Sequence, residues 1–102
     1  MSFNGTEGNA ISLVDATALT DEFKKAFPGE TKAVFIGREN IEDLLAGEGS
    51  MGIRVYFGRT SNDKNTIVMV SAVSNEDDDL SLIIDNGCTC PSACGCANDL
   101  NA

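Results

Sequence analysis

Two runs of β-branched, aromatic and aliphatic residues, GIRVYFG at 52–58 and TIVMVSAV at 66–73, flank a polar stretch rich in turn formers, RTSNDKN at 59–65. Apolar runs of this length around such a stretch read as a β-hairpin. In the first run Ile53, Val55 and Phe57 alternate with Arg54 and Tyr56, so one face is apolar and the other is wet. In the second, Ile67, Met69 and Val73 share one face while Val68, Val70 and Ala72 share the other. A strand that is apolar on both faces is central and covered from both sides. The remaining apolar segments are too short or too amphipathic to stand alone, so each has to bury its apolar side against this pair.

Upstream, residues 1–10 read as a loose arm with Phe3 as the large side chain. Ser12 and Asp15 form an S-x-x-D start, in which a serine hydroxyl satisfies a free N–H at a helix N-terminus. Leu13, Ala16, Leu19, Phe23, Ala26 and Phe27 then recur at three- and four-residue steps. The spacing predicts a helix over 13–27 with one stripe in the core, stopped by Pro28 and a positive-φ Gly29. KAVFIG at 32–37 predicts a short strand, and Ile41, Leu44 and Leu45 predict a second helix over 38–46 with Gly47 at its end. LSLIID at 80–85, followed by the Asn86-Gly87 turn signal, predicts a last strand.

The order helix, strand, helix, strand, strand, strand indicates the α+β class, with a mostly antiparallel four-stranded sheet packed by two helices. It divides the chain into an arm (1–10), one domain (11–87) and an irregular cysteine-containing tail (88–102) expected to be dispensable for folding. If both helices cover the same face, the other face predicts an apolar patch that a symmetric homodimer would bury.

At 102 residues the chain holds one core. Its net charge of −9 opposes nucleic acid and anionic membrane surfaces as partners. No stretch has the apolar length of a membrane helix, and the first ten residues lack the pattern of a secretory signal, so the expected location is cytoplasmic. The absence of histidine removes the commonest general base and metal nitrogen ligand. No P-loop, G-x-G-x-x-G or G-x-S-x-G motif occurs, so the expected role is non-enzymatic. The acidic run Glu76, Asp77, Asp78 and Asp79 lacks the alternating ligands of a calcium loop and reads as a solvated turn. Arg54, Tyr56 and Arg59 are candidates for a small recognition patch on the wet face.

All four cysteines fall within CTCPSACGC at 88–96 as C-x-C-x3-C-x-C. Cys88, Cys90, Cys94 and Cys96 are the candidate metal ligands, with zinc as the metal. Two facts oppose this: structural zinc sites favour C-x2-4-C pairs on a folded spacer, and no basic residue after Lys64 offsets the charge of four thiolates. A second reading is a nested pair of disulfides, Cys88 with Cys96 and Cys90 with Cys94, which a reducing compartment disfavours. A third is a redox pair, Cys90 and Cys94, although its spacing departs from the activated C-x-x-C. A fourth is a mobile, reduced tail. The fifth treats the chain as the precursor of a ribosomally made, modified peptide, with 88–102 as the processed segment and Thr89 and Ser92 as dehydratable hydroxyls.

The succession PGETKAVFIG, REN-IEDLLAG, GIRVYFG and a tail with Cys90-Pro91 and Cys94 resembles a family of small uncharacterised bacterial proteins of about this length. The resemblance spans 11–94. It implies a single domain and no established activity, and it carries no catalytic or binding residue onto this chain; Cys88 and Cys96 depart from its pattern. The function expected from all of this is an acidic binding or interaction domain whose terminal cysteines engage a metal or a partner.

Overall fold

The computed structural model describes residues 2–102 and is α+β, with two helices and two antiparallel sheets. Helix α1 covers Leu13–Ala26, strand β1 Ala33–Phe35 and helix α2 Arg38–Leu45. Strands β2 (Ser50–Arg59), β3 (Asn65–Val73) and β4 (Asp78–Ile84) follow, and β5 is Cys88–Cys90.

The hairpin forms as its alternation predicts. β2 pairs with β3 from Arg59↔Asn65 to Ser50↔Val73, interrupted by a bulge between Ser50 and Gly52. β4 joins β3 from the other side, so β3 is central in a three-stranded meander, with a register shift between Val70 and Ser71. Met69, Val70, Ser71 and Ala72 are all buried, which meets the requirement that both faces of β3 be covered. One cover is α2, whose Leu44 is 1% exposed. Ser71 sits under α2, and its hydroxyl donates to Ser50 Oγ at 2.6 Å, so a polar group in the core keeps a partner.

The opposite face is closed by the N-terminal arm and by a polar cluster. Phe3 N–H donates to the Ser74 carbonyl at 2.8 Å, and the Arg54 guanidinium lies 5.2 Å from the centre of the Phe3 ring. The arm is therefore pinned to the sheet. Val70 and Ala72, expected to form an apolar dimer surface if the helices shared a face, are already buried within the chain.

The four-stranded sheet predicted from sequence does not form. β1 pairs with β5 in a separate two-stranded ribbon, Ala33↔Cys90, Val34↔Thr89 and Phe35↔Cys88, so the segment read as an irregular tail supplies a strand. β1 has three residues, too few to extend along the ten-residue edge of β2, and the turn at Asn86-Gly87 delivers a partner directly to it. Close approach fixes this turn: a Cβ on Gly87 would lie 2.6 Å from the Phe35 carbonyl oxygen. Asn86 takes the left-handed conformation that asparagine tolerates (φ 56°).

Helix α1 begins and ends as expected. Ser12 Oγ accepts from Asp15 N–H at 3.0 Å, and Gly29 has φ 79° just beyond the helix. Its apolar stripe does not reach a core. No residue of α1 is fully buried, and Leu13, Leu19 and Phe27 are exposed. With β1 drawn into the ribbon, the sheet is narrower than the stripe requires, and α1 stands off from it.

Candidate functional site

The gap left by α1 is a groove of about 640 Å³. Its apolar walls are Phe23 from α1, Phe27 at the C-terminal cap of that helix, Val34 from β1, and Phe57 and Ile67 from the facing ends of β2 and β3. Phe57 and Ile67 are directly paired across the hairpin and so share one face. Phe57 is 92% exposed, an unusual position for a phenylalanine beside other apolar groups. Phe23 and Phe27 lie against each other, ring centres 5.2 Å apart, and give the helix side of the groove a fixed aromatic surface.

Glu30 holds the end of the groove. One carboxylate oxygen accepts from the N–H groups of Asn65 (2.7 Å) and Thr31 (3.0 Å), and the other accepts from Arg59 at 3.2 Å. These donors favour the charged form, so the Glu30 pKa is lowered, chiefly by the Asn65 N–H, then by Thr31 N–H and Arg59. One side chain thus ties the α1–β1 link to the open end of the hairpin. A single carboxylate after Gly29 gives no periodic or motif signal, and sequence reasoning missed it.

The tail backs this arrangement. Cys90 is 2% exposed, its carbonyl accepts from Lys32 N–H at 2.9 Å, and its sulfur is bonded to that of Cys94. Asn101 donates its side-chain amide to the carbonyls of Cys94 (2.9 Å) and Cys96 (3.0 Å). Lys24 of α1 donates to the Ala102 carbonyl at 2.8 Å. The segment after β5 therefore bridges the ribbon and the helix, the two sides of the groove.

Of the four predicted ligands, the structure joins Cys90 to Cys94 and leaves Cys88 and Cys96 as free, exposed thiols. The inner bridge is the one expected in the nested disulfide reading; the outer bridge is not made. Among the described residues no group of three or more His, Cys, Asp or Glu side chains is arranged to hold a metal ion. Zinc held by Cys88, Cys90, Cys94 and Cys96 requires thiolates, and so requires the Cys90–Cys94 bond to be open.

The proposed patch of Arg54, Tyr56 and Arg59 is not assembled. Arg59 turns to Glu30 and to Asn65 Oδ1, at 2.8 Å. Arg54 and Tyr56 instead converge on Asp78, each donating to one of its oxygens. The Tyr56 hydroxyl is the largest cause of the lowered Asp78 pKa, followed by the Arg54 guanidinium. The acidic run is thus divided: Glu76 (φ 75°) makes the turn, and Asp78 anchors the polar face of the sheet. Alternation already placed Arg54 and Tyr56 on one face; the third member came from the run read as solvated.

The chain matches no family model, and no curated protein or solved structure matches it. Among the described residues no helix is long and apolar enough to cross a membrane.

Proposed function

We propose that the protein is a non-enzymatic binding domain that receives an apolar ligand in the groove between α1, β1 and the β2–β3 hairpin. One observation carries the reading: an aromatic and aliphatic groove of about 640 Å³ is left open although the chain has both a helix stripe and a strand face able to fill it. Ligand sites are concave, mostly apolar and typically about 300–1,000 Å³, with a few polar groups that fix orientation. Burying Phe57 and the α1 stripe against a ligand recovers hydrophobic free energy that the free protein forgoes. The cysteine segment contributes by holding β1 in place rather than by touching the ligand.

A neutral fluorescent probe, N-phenyl-1-naphthylamine, tests this reading. It should bind saturably with one site per chain, and Phe57→Ser should weaken it about tenfold, roughly the loss of one aromatic contact. Phe35→Ser, at an exposed aromatic outside the groove, should leave binding unchanged. Equal effects of the two substitutions would contradict the reading, as would intact mass showing that 88–102 is removed or dehydrated in the cell, which would favour the precursor role.

A further inference from the structure

The groove contains one charged side chain. Lys32, immediately before β1, lines it together with the apolar walls and with Thr31, Asn65 and Thr66. Its backbone N–H is used by Cys90, but its ammonium makes no hydrogen bond or ion pair among the described residues. The neighbouring charges are already engaged. Glu30 is saturated by two backbone N–H groups and Arg59, and Lys24 is held by Asp21 at 3.1 Å and by the carbonyl of Ala102. In a chain of net charge −9, this half-buried lysine has been left without any of the available carboxylates.

We propose, on the basis of the groove reading above, that the ligand is an amphipathic carboxylate: an alkyl or aryl body along Phe23, Phe27, Phe57 and Ile67, with its carboxylate on the Lys32 ammonium. The charge count selects the class. One ammonium matches one monoanion, whereas a phosphate dianion would need a second cationic side chain, and none lines the groove. The hydroxyls of Thr31 and Thr66 border the same space and can satisfy carboxylate lone pairs that Lys32 leaves free. Salt screens the acidic surface beyond about 10 Å at 0.1 M, and the nearby Glu30 carboxylate is offset by Arg59 at 3.2 Å.

The full-length protein is titrated calorimetrically with dodecanoate, dodecanol and dodecyltrimethylammonium, each below its micellar concentration, and each is also used to displace N-phenyl-1-naphthylamine. Dodecanoate should bind one per chain and at least about tenfold more tightly than the other two, the size of one charge-assisted contact (about 1.4 kcal/mol). Lys32→Gln should abolish that preference while the naphthylamine still binds, which shows that the variant is folded and its groove intact. Lys64→Gln, at an exposed lysine outside the groove, should keep the preference. Probe binding with no preference for the carboxylate overturns the ligand class and leaves the groove reading standing. Failure of both probe and dodecanoate overturns both. A dimer at 10 µM that excludes dodecanoate identifies a second copy of the chain as the occupant and also overturns the proposal.

Discussion

The molecule contains two antiparallel assemblies that differ in how they are held. In the β2–β3–β4 meander the strands run seven to ten residues, and Met69, Val70, Ser71 and Ala72 of the central strand are buried beneath α2 on one side and the arm on the other. The β1–β5 ribbon has strands of three residues, pairs segments more than fifty residues apart, and buries Cys90 alone. Backbone pairing is common to both; burial is not. An isolated two-stranded ribbon is marginal in water, and the long loop it closes adds an entropic cost. The ribbon compensates with a sulfur bond, the Asn101 amide contacts and the Glu30 clamp. The groove lies on the seam between the strong assembly and the weak one, so its shape depends on the weaker partner.

The largest test of that contrast is Leu44→Ala. It removes the most buried side chain of α2 from the meander and should cost about 2–5 kcal/mol in urea unfolding, the range for buried leucine truncations. A cost below about 1 kcal/mol, the level of a surface change, would place the core elsewhere. Glu30→Gln should have a smaller effect, confined to the groove side. Glu30 has a folded pKa below its unfolded value of about 4.3, so the stability it contributes is complete above that value and is lost as pH falls through the lower, folded pKa. The variant should lower the stability of the ribbon and of the Asn65 end of the hairpin at neutral pH and lose that acid dependence, with the buried segment Met69–Ala72 of β3 unaffected. Equal weakening of the Met69–Ala72 amides in hydrogen exchange would contradict the separation of the two regions.

Much of the meander was legible because its information is local. Alternation in 52–58 and double-sided loading in 66–73 specify a hairpin and a central strand whatever else the chain does. The ends of α1 were legible for the same reason: Ser12, Pro28 and Gly29 act on their immediate neighbours. The ribbon was not. Ala33, Val34 and Phe35 form a run too short to encode a partner, and Gly87, Pro91 and Gly95 made the matching segment look like loop. The groove was hidden because the α1 stripe has the same period whether it is packed or stands away from the sheet. Asp78 and Glu30 were missed because a carboxylate that clamps two segments has no sequence signature apart from those in solvent.

The central claim is that one chain carries a self-sufficient meander and a disulfide-dependent ribbon that together shape the groove. Native-state hydrogen exchange on oxidised and reduced protein tests it most directly. Reduction of Cys90–Cys94 should sharply raise exchange at Lys32 N–H, which is donated to the Cys90 carbonyl, and at the β1–β5 amides, because the ordering constraint on the short CPSAC loop is removed. Met69, Val70 and Ser71 should keep the protection of the global unfolding free energy. Equal loss at Lys32 and Val70, or no change at Lys32, would contradict the account.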